Sequence, residues 1–159
     1  DLGTPCLIHQ PSYNMFNRWI EEDNLLDTLE DLGIGSIAFT PLAQGMLTKK
    51  YLSGVPNDSR AMQDKSLDKN KIKPELVEAL NSLNGIASSR GQSLAQMALA
   101  WVLRGSRVTT ALIGASKSEQ VVDCVGVIEN LNFTEDELLK IDRLSGDLGI
   151  NLWAASSEI

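Results

Sequence analysis

Ile34-Gly35-Ser36-Ile37-Ala38-Phe39-Thr40-Pro41-Leu42-Ala43-Gln44-Gly45 is the stretch on which the fold turns. Ile34 to Thr40 is a short apolar run bounded by Gly35 and Pro41, and it predicts a buried strand. Proline has no N–H to donate, so the strand must stop at Pro41. Working back toward the N-terminus, Leu25, Leu29 and Leu32 follow i, i+4, i+7 and predict a helix over 22–32. Gly33 is placed to cap it. Before it, Thr4 to His9 predicts another short buried strand. Working forward, Pro74 suits the first position of a helix that lines up Leu76, Leu80, Leu83 and Ala87. Ser93 with Gln96 forms a capping box for a helix carrying Leu94, Met97, Ala98 and Trp101 on one stripe. Val108 to Ile113 predicts a third strand. Ser116 with Glu119 predicts a capping box for a helix reaching about Glu129. Thr134 with Glu137 predicts another, stapled by Phe133 and Leu138. From Gly146 onward the chain reads as irregular.

Apolar strands alternating with helices belong to a parallel sheet covered by helices, an α/β fold. Three strands leave both sheet edges open. A barrel of eight typically needs about 250 residues, and this chain has 159. The expectation is therefore a single partial domain over 1–159, the C-terminal part of a larger α/β fold. The absence of a starting Met fits something preceding Asp1.

Composition narrows the function. Hydrophobic residues are 43% and charged residues 22%, the balance of a soluble globular protein. No basic, apolar leader opens the chain. No stretch approaches the ~20 apolar residues of a membrane span. The net charge of −7 argues against nucleic acid and anionic membranes as partners. Cys6 and Cys124 form no CxxC, and His9 is the sole histidine, so no metal site is expected. The charge is uneven, however. Residues 49–73 hold seven basic and three acidic side chains, a local +4. Such an island draws in a small anion. Its Ser53-Gly54-Val55-Pro56-Asn57-Asp58-Ser59 stretch reads as a long loop.

Ligands of parallel α/β folds bind where strands end and helices begin. The three junctions are His9-Gln10-Pro11-Ser12-Tyr13-Asn14, Phe39-Thr40-Pro41-Leu42-Ala43-Gln44-Gly45, and Ile113-Gly114-Ala115-Ser116-Lys117-Ser118-Glu119-Gln120. None contains GxGxxG or a Walker loop. In the third, Gly114 lets backbone approach a ligand. Ser116 opens a helix whose free N–H groups favour an anion, and Lys117 adds a positive charge. A plain N-cap beside a surface lysine is the competing reading.

Taken in order, these junctions resemble the aldo-keto reductases, which are (β/α)₈ barrels using NADP(H). The resemblance runs from about Thr4 to Trp153. It is nearest the branch with the potassium-channel β subunits and the bacterial L-glyceraldehyde 3-phosphate reductases. Gln10-Pro11-Ser12-Tyr13-Asn14 with Arg18 resembles the junction after strand six, and Phe39 to Gly45 with Leu47, Lys50 and Tyr51 that after strand seven. Gly54-Val55-Pro56 with Ser59-Arg60 resembles the loop over the cofactor, which makes 49–73 that loop. Ile113 to Ser116 with Glu119-Gln120 resembles the junction after strand eight. Asn151-Leu152-Trp153 leans toward the glyceraldehyde phosphate reductases.

The resemblance implies the following roles. Gln10 bonds the nicotinamide carboxamide, and Phe39 stacks on the nicotinamide. Thr40, Pro41, Leu42, Ala43, Gln44 and Gly45 wrap the pyrophosphate, Pro41 without an N–H to offer. Lys50 and Arg60, beside Ser59, clamp it from the loop. Gly114, Ser116, Lys117 and Gln120 meet the 2′-phosphate and ribose, and Asp123 and Cys124 stand where relatives contact adenine. Tyr13 and His9 are expected to be structural, His9 packing against a helix. The family's tyrosine acid, its Asp–Lys pair and its histidine come from the first half of the barrel. No candidate set for them exists here, so this chain by itself is expected to be inactive. The implied whole is a cytoplasmic NADPH-dependent reductase of small aldehydes, completed by an N-terminal half or a homo-oligomer. The alternative is an NADP(H)-sensing regulatory subunit.

Overall fold

The computed structural model describes residues 3–54 and 72–146. The expectations placed on Ser59, Arg60 and Asn151 to Trp153 lie outside that range. The described chain runs β1 (Ile8–His9), α1 (Trp19–Glu22), α2 (Leu25–Asp31), β2 (Gly35–Ala38), α3 (Pro74–Ser89), α4 (Leu94–Val102), β3 (Thr110–Ala111), α5 (Ser118–Val125) and α6 (Glu135–Leu144). The strands form one parallel sheet in the order β1-β2-β3. Ile8 faces Gly35 and His9 faces Ser36, while Ile37 faces Thr110 and Ala38 faces Ala111.

Strand alternation sorts these pairs onto two faces. Ser36 and Ala38 are fully buried, and their neighbours His9 and Ala111 are partly covered. Ile37 is only partly covered, and Ile8 and Leu112 are exposed. Helices thus cover one face of the sheet among the described residues. This corrects the expectation of a buried strand over Thr4–His9. Only Ile8–His9 pairs, and residues 3–8 are exposed, because β1 has one neighbour and a single covered face. The third strand is likewise shorter than 108–113.

The helix expected over 22–32 is two helices, broken at Asp23 and Asn24, where Asn24 turns left-handed (φ 52°). Its end is as expected. Gly33 takes a positive φ of 66°. Its N–H reaches Glu30 O at 3.1 Å and the Ile34 N–H reaches Leu29 O at 2.8 Å, the paired bonds of a Schellman cap. The stripe is rotated: Leu26 and Leu29 are buried, whereas Leu32 is exposed. α3 begins at Pro74 and buries Leu76, Leu80, Leu83 and Ala87. α4 is opened by the Ser93–Gln96 box, with bonds of 3.1 and 2.9 Å. Every α4 residue but Gln96 is buried, which makes it the central helix. α6 is opened by the Thr134–Glu137 box, and Phe133 and Leu138 pack on the core.

Candidate functional site

Parallel strands in one sheet bring all three junctions to the same edge, where the carboxyl ends of the strands lie. The first two are physically joined. Phe39 N–H donates to Pro11 O at 2.9 Å and Tyr13 N–H donates to Phe39 O at 3.2 Å. Asn14 Nδ2 donates to Thr40 O at 3.0 Å, and the Ser12 and Thr40 hydroxyls are 2.9 Å apart. Ser12, Asn14 and Asn17 are all buried. Gln10, by contrast, is exposed, and no hydrogen-bond partner for its side chain is found among the described residues.

The second junction is strained. Thr40, Ala43 and Gln44 have φ of 54°, 48° and 57°, and Gly45 has 97°. Left-handed backbone is costly for residues with a Cβ, above all for β-branched threonine, and persists where surroundings enforce it. Leu42 (φ −97°, ψ 17°) followed by Ala43 gives the right-then-left order that turns successive N–H groups toward one concavity. Ala43 and Gly45 donate to Thr40 O and Leu42 O. The N–H groups of Thr40, Leu42 and Gln44 find no acceptor among the described residues. Three free amides in one turn suit an anion. Gln44 Oε1 is buried without a partner among the described residues and suits a hydroxyl donor. Phe39 is half-buried beside them. Thr48 caps the following short turn, Lys49–Tyr51, by accepting from Lys50 N–H at 3.3 Å, which leaves the Lys50 side chain exposed.

The third junction departs from expectation. α5 starts at Ser118, with Lys117 in the cap position, so Ser116 and Glu119 form no capping box. The Gln120 side chain closes the helix start instead. Its Oε1 accepts from Ser116 N–H (2.8 Å), Lys117 N–H (3.2 Å) and the Ser116 hydroxyl (3.3 Å). An anion arriving here would have to displace it. Gly114 has open space around its Cα, and Lys117 is exposed with no ion pair among the described residues. Asp123 is tied to α4, accepting from the Ser93 hydroxyl at 3.0 Å. Cys124 is turned into the core against Leu99, Ala100 and Val127. Burial, with Asp123 beside it, pushes its thiol up. The sequence-level adenine contact at Cys124 therefore meets a side chain facing inward.

The backbone of Tyr13 belongs to this edge, but its side chain turns into the helix layer beside Trp101. Its hydroxyl donates to Glu21 and accepts from Arg104 at 2.8 Å. Burial raises its pKa, against the pull of Arg104. Trp101 is fully buried, with Arg104 at 3.6 Å and Arg18 at 4.9 Å from its ring. Of the polar set Ser12, Asn14 and Asn17, the sequence reading placed Ser12 and Asn14 in the first junction without an individual role and did not single out Asn17. Its only signal was the density of short polar side chains after β1.

The Aldo/keto reductase family model matches residues 1–145, and the chain belongs to that family. It is 52% identical over 158 residues to the L-glyceraldehyde 3-phosphate reductase of Escherichia coli K12, covering 97% of this chain and 46% of that protein. It is 34% identical over 142 residues to a probable voltage-gated potassium channel subunit beta of Oryza sativa subsp. japonica, covering 87% and 43%. The chain thus spans about half the length of the curated relatives it matches. A crystal structure of a thermostable aldo-keto reductase with the inhibitor epalrestat superposes with a TM-score of 0.62 at 22% identity, covering 89% of this chain and 41% of that one. That likeness concerns the fold.

Proposed function

We propose that this chain is the cofactor-binding part, about strands six to eight of a (β/α)₈ barrel, of an NADPH-dependent aldo-keto reductase. Its carbonyl substrates are small aldehydes such as glyceraldehyde 3-phosphate or methylglyoxal. The observation that carries the reading is the strained second junction, with the amides of Thr40, Leu42 and Gln44 unpaired among the described residues. Those amides and the Thr40 hydroxyl hold the pyrophosphate, with Lys50 and Arg60 as counter-charges. Pro41, Ala43 and Gly45 shape the turn. Gln10 orients the carboxamide, and Phe39 covers one face of the nicotinamide. Gly114, Ser116, Lys117 and Gln120 meet the 2′-phosphate end, with Asp123 near the adenine. NADPH, when bound, supplies the hydride. This chain's residues bind and orient it and supply no proton. The exposed side of the sheet is completed by further barrel strands, from an N-terminal half or a second copy. A cytoplasmic location belongs to the same reading. No described helix is long and apolar enough to cross a membrane.

The relative from rice favours a second reading, an NADP(H)-sensing regulatory subunit with the same site. Fluorescence titration of the full-length protein with NADPH and NADH separates these from failure. Binding together with aldehyde-dependent NADPH oxidation supports the reductase. Binding without turnover of either aldehyde favours the sensor. Absence of binding by both cofactors refutes both.

A further inference from the structure

We propose that Ser12 and Asn17 are positioning residues that turn the Thr40 hydroxyl into a dedicated donor for the bound pyrophosphate; this rests on the cofactor reading above. Asn17 Nδ2 donates to Ser12 Oγ at 3.0 Å. Ser12 Oγ lies 2.9 Å from Thr40 Oγ1. An oxygen that accepts from an amide keeps its own proton to give. Either hydroxyl can donate in that contact; in the proposed relay the Ser12 proton goes to Thr40, and the Thr40 proton is left for another acceptor. Among the described residues Thr40 Oγ1 has no second partner. Chains of this kind polarise along their length, so each link strengthens the next. The terminal hydroxyl is thus pre-oriented as a donor, and a phosphate oxygen is the acceptor it suits.

Two further observations tie the chain to Thr40 rather than to general packing. Asn14 Nδ2 holds Thr40 O at 3.0 Å, while Asn14 Oδ1 accepts from Phe16 N–H at 2.9 Å and so fixes that amide's orientation. Thr40 is gripped at carbonyl and hydroxyl together, in a backbone conformation it would not choose unaided (φ 54°). Asn17 is buried, and its Oδ1 finds no partner among the described residues. The bond to Ser12 is thus the one side-chain hydrogen bond made by a costly buried amide.

The test is cofactor affinity of the full-length protein carrying Ser12→Ala, Asn17→Ala, Thr40→Val and Thr40→Ser, with NADPH, NADH and adenosine 2′-monophosphate as probes. Thr40→Val and Ser12→Ala should each weaken NADPH and NADH by roughly tenfold, the size of one hydrogen bond to a charged acceptor. Adenosine 2′-monophosphate, which has no pyrophosphate, should bind unchanged. Ser12→Ala added to Thr40→Val should have no further effect, because the relay then has no end. Thr40→Ser should bind both dinucleotides within about twofold of wild type. An additive double variant, or loss of all three probes alike, would leave Ser12 merely structural and overturn the proposal. If Ser12→Ala fails to fold, the Thr40→Val and Thr40→Ser pair decides, and equal affinity of those two sinks it. Wild-type protein that binds neither dinucleotide overturns the cofactor reading itself. Wild-type binding with unaffected variants overturns only the relay.

Discussion

Arg90 is the side chain whose loss should cost the fold most per atom removed. It sits at the end of α3, is 3% exposed, and bonds in four directions. Its Nε donates to Gln92 Oε1 at 2.8 Å and one terminal nitrogen donates to Glu137 at 2.9 Å. The other donates to Asn132 O at 2.9 Å and Asn130 O at 3.3 Å. The guanidinium also lies 3.8 Å from the Phe133 ring. Arg90→Ala takes the guanidinium donor from Asn132 O, leaves Asn130 O with only Gln92 Nε2 at 2.9 Å, and removes the counter-charge of Glu137. Removing one partner of a buried pair typically costs about 3–5 kcal/mol. Glu137 is 24% exposed and keeps its Thr134 N–H at 2.8 Å, which places the cost near the lower end, about 3 kcal/mol. With a urea slope of about 2 kcal/mol/M, the midpoint should fall by about 1.5 M at constant slope. Arg90→Lys should fall between, since an ammonium cannot fork to Gln92, Glu137 and two carbonyls at once. Equilibrium urea unfolding of the full-length protein measures both. A loss under about 1 kcal/mol for Arg90→Ala would mean that water replaces these bonds freely, and that α3 and α6 are held by apolar packing alone.

Glu21 offers a pH test. Burial works to raise its carboxyl pKa, but the hydrogen bond from Tyr13 and the charges of Arg104 and Arg18 bring it below the ordinary glutamate range. A depressed folded pKa gives stability that is present above the unfolded value of about 4.3 and lost as pH falls through the folded one. Glu21→Gln should therefore lower Tm near neutral pH, and the gap to wild type should shrink on acidification; a gap constant with pH would refute the ionic account. Lys117→Ala should weaken NADPH more than NADH. Lys117 is exposed, so the effect should be about two- to fivefold, the range of exposed charge pairs. Equal losses in a fluorescence titration of both cofactors would remove it from the 2′-phosphate site.

The local rules were the legible part of the sequence. Pro74, Gly33, the Ser93–Gln96 box and the Thr134–Glu137 box each depend on bonds within a few residues, and each formed where the residues placed it. The Ser116–Glu119 box failed for an instructive reason. The two candidate caps, Ser116 and Lys117, are adjacent, and Gln120 Oε1 serves the later one by accepting from three donors, a competition no spacing rule weighs. The buried face of α2 was misjudged at its end, because Leu32 is the C-cap, beyond the last helical residue Asp31, and is exposed. Continuous apolar strands read as covered on both sides, yet burial depends on neighbours the pattern does not name. The second junction stood out in the sequence as a motif at a strand end. Its strain, its free amides and the Ser12–Asn17 support were not, since they arise from contacts between residues up to 28 positions apart.

The titratable groups among the described residues bear on the role the proposed reading gives this edge. Carbonyl reduction needs a hydride and a proton, and a donor must stand within hydrogen-bond reach of the carbonyl oxygen. The sequence holds two tyrosines and one histidine. Tyr13 and Tyr51 are each 1% exposed. The Tyr13 hydroxyl is spent on Glu21, and its raised pKa makes it a weaker acid than free tyrosine. His9 pairs beside Ser36 on the helix-covered face, opposite to Ile8 and Gln10. Among the described residues, the groups the reading uses at the strand-end edge include Gln10, the Thr40 hydroxyl, the free N–H groups, Lys50 and Lys117. On the proposed reading those groups bind and orient an anionic dinucleotide. On the proposed reading the acid must therefore stand on the other side of the substrate, reached from strands that complete the open face of the sheet. Cofactor affinity and proton transfer then reside on separate halves of one barrel, so variants in these residues should move cofactor binding while leaving the pH dependence of the chemical step in place.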